Sequence, residues 1–195
     1  LLARNEFIGN LYNEFQDDKS PEALARVLVA NYILEGVYFY SGFMFFYNLG
    51  RNNLMPGSVQ EIRYINRDEN THLWLFRSIL LELKEEEPQL FTPELVEGYR
   101  AMIKEGCEQE IRWGHYAIGD EVAGLNKQMV ADYIQYLGNL RCTQLGFEPL
   151  YEGHDREPES MSWVSQFSNA NMIKTDFFEA RSTAYAKSSA LVDDL

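Results

Sequence analysis

The run Glu61-Ile62-Arg63-Tyr64-Ile65-Asn66-Arg67-Asp68-Glu69-Asn70-Thr71-His72-Leu73-Trp74-Leu75-Phe76 decides how this chain is read. Ile62, Ile65, Leu73 and Phe76 fall at helical spacing, and Glu69 and His72 stand at i and i+3 on the same face. A carboxylate and an imidazole side by side on one helix can chelate one cation. Because their face is otherwise apolar, both are expected to point inward. There a bare carboxylate costs several kcal/mol unless it is paired, protonated or bound to a metal. By itself a Glu-x-x-His pair also fits a solvated surface pair.

Upstream, Glu35 is the one formally charged side chain between Arg26 and Arg51, set among Ile33, Leu34, Val37, Phe39 and Phe43. Glu35, Phe39 and Phe43 are spaced by four, so one helical face carries the acid and then two rings. A lone acid in so apolar a stretch needs a partner. One reading pairs it with Arg63 or Arg67 as a structural ion pair. The other joins it to Glu69 and His72, which makes half of the carboxylate-bridged dimetal site built in ferritin-like bundles. Carboxylate oxygens with imidazole suit iron or manganese better than zinc or copper.

The rest of the chain reads as helices, with almost no strand signal. A first helix spans residues 1–15. Ser20-Pro21 gives a cap and an N1 proline for a second, expected to run unbroken to about residue 49. Ser58 and Glu61 stand at capping-box spacing and open a third, 58–84. Thr92-Pro93 starts a fourth, 93–118, and a fifth follows over 127–145 after the break at Gly124 and Asn126. Helices of nearly thirty residues span about 40 Å, which suits an elongated bundle. The expected organisation is a partial helical domain over 1–174 and a mobile tail over 175–195.

Composition narrows the function. With 17 Lys and Arg against 30 Asp and Glu, the net charge is −13, and no basic stretch exists to follow a phosphate backbone, so nucleic acid is not expected as a partner. Two cysteines, Cys107 and Cys142, are too few and too far apart for a disulfide framework or a thiolate zinc site, which points to a reducing, cytoplasmic setting. No secretory signal opens the chain, and the charge-free run from Gly36 to Gly50 is too short to span a membrane. The first residue is Leu1, with helical periodicity already under way, which suggests a piece of something longer.

Taken together, Glu35-Gly36-Val37-Tyr38-Phe39-Tyr40 with Phe43, Ile65-Asn66-Arg67-Asp68-Glu69-Asn70-Thr71-His72 and Gly124-Leu125-Asn126-Lys127 resemble the radical-generating small subunit of class I ribonucleotide reductase. The resemblance runs across nearly the whole chain. It implies a partial ferritin-like fold in which Glu35, Glu69 and His72 are metal ligands. Phe39, Phe43 and Ile65 would line an apolar pocket beside the metals and the radical, and Asp68 would be a hydrogen-bond partner behind the ligands. The implied cofactor is a dinuclear metal centre, Fe/Fe first, with Mn/Fe or Mn/Mn as alternatives.

The other half of that site, an Asp, a second Glu-x-x-His and usually a tyrosine, lies in the family before the point where this chain begins. His115 and His154 follow no Glu at three-residue distance. Three ligands of an expected six are therefore present, and the N-terminal part of the small subunit becomes an implied partner. Near the end, Glu179 and Tyr185 match the six-residue spacing of a family tail in which the tyrosine relays a radical to the large subunit. Homodimerisation is implied as well. Two other classes fit the metal motif alone: a different dimetal oxidase or oxygenase, and a non-catalytic assembly module.

Overall fold

The computed structural model describes residues 2–168, and all its regular elements are helical. Glu179, Tyr185 and the boundary expected near residue 175 lie outside the described residues. The helices are α1 (Leu2–Asp17), α2 (Pro21–Gly36), α3 (Tyr40–Arg51), α4 (Pro56–Glu86), α5 (Pro93–Ala117), α6 (Lys127–Gln144) and α7 (Trp163–Ser168), with short 3-10 turns at Pro88–Phe91 and Glu159–Met161.

Local chemistry sets most boundaries. Ser20 Oγ accepts from Ala23 N–H ahead of Pro21, Thr92 Oγ1 from Leu95 N–H ahead of Pro93, and Asn126 Oδ1 from Met129 N–H. The capping box expected at Ser58 and Glu61 is not used. Helix α4 starts two residues earlier, with Pro56 in its first turn and Met55 in the left-handed region at φ 47°. A proline lacking the N–H that would be orphaned anyway begins the helix as readily as a capping side chain.

The expected single second helix is two helices. Between α2 and α3 the ladder slips: Tyr38 N–H reaches back five residues to Ile33 C=O at 3.4 Å, and Tyr40 N–H only three, to Val37 C=O at 3.2 Å. Neither proline nor a glycine pair causes this break, and its origin is tertiary, as described below.

Helix α2 packs along α4, α5 along α6, and α1 across α2, where Leu11 meets Val27 and Ala30. The core runs through Val29, Ile33, Met44, Tyr47, Leu73, Leu80, Ile103 and Ile134. Helix α7 closes one end, with Phe167 stacked on Tyr47 at 5.2 Å between centroids. At 31 residues, α4 extends about 46 Å and buries Val59, Asn66, Leu73 and Leu80, a seven-residue repeat that defines its inward face.

Candidate metal centre

Glu35 sits one residue before the end of α2, opposite the middle of α4, where Glu69 and His72 lie on adjoining turns. His72 Nδ1 is 3.0 Å from Glu69 Oε2 and 3.8 Å from Glu35 Oε2. One donor atom from each of the three lies within 4.8 Å of the others, the one such acid, histidine or cysteine cluster among the described residues. The two carboxylate side chains are 15% and 16% exposed, and the imidazole is 54% exposed. The expectation that both α4 ligands face inward is corrected by this. The inward stripe belongs to Val59, Asn66, Leu73 and Leu80, so Glu69 lies at its shoulder and His72 further out.

The electrostatics show what the cluster lacks. Burial, a hydrogen bond with Glu69 and the charge of Glu69 push the Glu35 carboxyl up to about 7, against a smaller opposing effect of His72. The hydrogen bond to Glu69 holds the His72 imidazole above its ordinary value. The group therefore retains protons where a cation could sit. Among the described residues no lysine or arginine lies within 4.0 Å of either carboxylate. The alternative ion pair does not form among the described residues: Arg67 binds Asp68 and stacks over Tyr64, and the buried Arg63 Nε finds no hydrogen-bond partner among them. Two half-buried acids and an imidazole converging without a fixed countercharge fit a divalent metal by the chemistry of the donor set.

The remaining predicted residues are distributed unevenly. Phe43 is buried at 3% exposure and stacks on Phe39 at 6.2 Å, but Phe39 is 36% and Ile65 39% exposed. The described residues therefore enclose Phe43 and leave Phe39 and Ile65 partly open, so these two do not line a closed pocket here. Asp68 was expected behind His72. Its carboxylate instead takes the Nε and Nη2 donors of Arg67 at 3.2 and 3.1 Å, because the adjacent guanidinium offers a two-pronged partner in open solvent. Outside the cluster, His115 Nε2 contacts Lys127 C=O and His154 lies beside Asp132.

Three buried charges near the site escape sequence reading. Arg4, Glu110 and Arg141 all reach the break between α2 and α3. Their only sequence signal is a charge in a helix position that periodicity assigns to the core.

Comparison with known proteins gives this geometry a family. The family model described as "Ribonucleotide reductase, small chain" matches residues 1–158. The chain belongs to that family. A ribonucleoside-diphosphate reductase subunit beta of Treponema pallidum (strain Nichols) is 80% identical over 195 residues, which is 100% of this chain and 56% of that protein. One from Halalkalibacterium halodurans is 41% identical, over 97% of this chain and 54% of its own length. Among solved structures, the ribonucleotide reductase R2 subunit from Clostridium botulinum superposes with a TM-score of 0.81 at 46% identity, covering 86% of this chain and 52% of that one. The chain thus spans a little over half the length of these small-chain relatives. The ferritin-like reading of the all-helical fold agrees with them, and a dimetal centre is the family's expectation for these ligand types.

Proposed function

We propose that this chain provides Glu35, Glu69 and His72 to the dinuclear metal centre of a ribonucleoside-diphosphate reductase small subunit, which supports reduction of ribonucleotides to deoxyribonucleotides. The carrying observation is the convergence of two carboxylates and an imidazole from α2 and α4, with no lysine or arginine among the described residues to neutralise them. Family membership favours this over another dimetal oxidase. Bound there, a redox-active metal pair supplies a one-electron oxidising equivalent. The metals are a di-iron pair in this reading, with Mn/Fe or Mn/Mn as alternatives.

The chain's own residues do the holding. Glu35 surrenders the proton that burial and its neighbour Glu69 help it retain, both carboxylates offer oxygens, and His72 turns a neutral nitrogen to the same point. Phe39, Phe43 and Ile65 form an apolar border that keeps water from the site once their open face is covered, and Asp68 biases the imidazole through its charge. The remaining ligands come from another segment of the family fold, packed on the exposed side of α4. By family resemblance, Glu179 and Tyr185 serve transfer to the large catalytic subunit. The assembly is a cytoplasmic homodimer.

Metal analysis of the assembled small subunit containing this chain tests the site. Stoichiometric iron or manganese uptake is expected, with at least half of it lost in Glu69→Ala. Uptake that is indifferent to Glu69→Ala would reject the assignment.

A further inference from the structure

The break between α2 and α3 lies directly after Glu35, and buried ionic side chains from three other helices satisfy its backbone. Arg141 Nε, from α6, donates to Gly36 C=O at 3.0 Å. Arg4, from α1, donates through Nη2 to Tyr38 C=O. Glu110, from α5, accepts from Ser41 N–H through Oε1 at 2.9 Å, and its Oε2 lies 2.9 Å from Arg4 Nη1. Arg4, Glu110 and Arg141 are 9%, 0% and 4% exposed. In an unbroken helix Gly36 C=O would accept from Tyr40 N–H, Tyr38 C=O from Gly42 N–H, and Ser41 N–H would donate to Val37 C=O, so the three side chains replace missing rungs.

We propose that Arg4, Glu110 and Arg141 are positioning residues for the metal centre, fixing the irregular turn at 37–39 so that Glu35 is held at α4 while Phe43 turns into the core. Two observations tie the clamp to the site rather than to general packing. The first is adjacency: Arg141 holds the carbonyl of the residue following Glu35. The second is a shared contact at Gly36, where a Cβ would lie 2.7 Å from Arg141 Nε and 2.8 Å from Leu73 Cδ1. Leu73 neighbours His72, so Gly36 lets Arg141, the end of α2 and the ligand turn of α4 meet without a spacer. Arg141 is itself braced, donating to Gln144 Oε1 at 3.1 Å and to Tyr40 Oη at 3.2 Å. An apolar plug of similar volume could fill the space, because buried ion pairs are often replaceable without loss of stability. What it could not do is dictate the direction of three particular backbone groups.

The inference rests on Glu35 being a ligand, and the experiment separates the two ideas. In the assembled small subunit, Co(II) is titrated while its visible absorption is recorded, alongside thermal unfolding. Arg141→Lys keeps the buried charge, but one ammonium cannot reproduce the guanidinium fork. Glu110→Gln keeps the acceptor for Ser41 N–H and removes the charge. Arg141→Lys is expected to weaken Co(II) binding about tenfold and alter the spectrum at a temperature where its circular dichroism matches wild type, with Glu110→Gln losing about threefold. Folded Arg141→Lys and Glu110→Gln that both bind as wild type with an unchanged spectrum would overturn the proposal. So would failure of Arg141→Lys to fold, since the residue would then be a requirement of folding. Absence of Co(II) binding in wild type, or binding unaffected by Glu69→Ala, would overturn the metal assignment instead.

Discussion

Glu35 and Glu69 face each other across two helices, and Glu35 retains a proton up to about 7 because it is partly buried beside another carboxyl. The linkage follows from the sign. A carboxyl whose folded-state pKa lies above its unfolded value binds more protons when folded, so its contribution is largest below the unfolded value and is lost as pH rises through the folded one. His72, raised by Glu69, acts in the same direction. Metal-free protein is therefore expected to lose about 1 to 2 kcal/mol of stability between about pH 5 and pH 8 through Glu35, the full shift being discounted for solvent access. Urea unfolding across that range checks it, with Glu69→Gln flattening the slope; stability that rises with pH in wild type, or a slope untouched by the variant, would count against the account. The pairing of Glu69 with His72 was legible in the sequence from i, i+3 spacing, and Glu35 from its isolation among apolar residues. The placement of Asp68 was not. Which of two neighbours a short exposed carboxylate binds depends on the local reach of Arg67, which periodicity does not encode.

At the level of elements, the helix starts at Ser20-Pro21, Thr92-Pro93 and Asn126 were readable, whereas the start of α4 at Pro56 and the break after Gly36 were not. Residues 36–43 have no helix-breaking pattern of their own. The slip is sustained by side chains from residues 4, 110 and 141, remote in sequence and adjacent only after folding. Two glycines on either side of the break give a paired prediction. Gly36→Ala places a methyl against Arg141 Nε and Leu73 Cδ1 and should destabilise by about 1 to 3 kcal/mol. Gly42 lies within α3 with nothing within 4 Å of an added Cβ, so Gly42→Ala should stabilise by about 0.5 to 1 kcal/mol. Chemical denaturation measures both, and equal effects at the two positions would show that the close approach at Gly36 is unimportant.

Viewed as a whole, the molecule buries one side of α4 and leaves Ile65, Trp74, Leu75 and Ile79 of the same helix exposed, with Phe39 near the metal residues. Exposed apolar surface of this kind marks an interaction face. The chain as given is expected to self-associate, with sedimentation velocity showing mass that rises with concentration and falls when Ile65→Lys and Ile79→Lys are combined. A monodisperse monomer at every concentration would contradict this. No described helix is long and apolar enough to cross a membrane, in line with the hydropathy pattern. The bundle class was legible because long amphipathic periods survive any detail of packing. Less legible was which face of α4 the core takes: the apolar residues flanking Glu69 and His72 read as one inward stripe, whereas the packed stripe is centred on Asn66 and Leu73.

The central claim is that Glu35, Glu69 and His72 share a metal ion. Anomalous diffraction from crystals of the assembled small subunit, collected on either side of the iron or manganese absorption edge, tests it most directly. An anomalous peak within coordination distance of all three side chains is the predicted result. A fully loaded protein whose peaks lie away from these residues would contradict it.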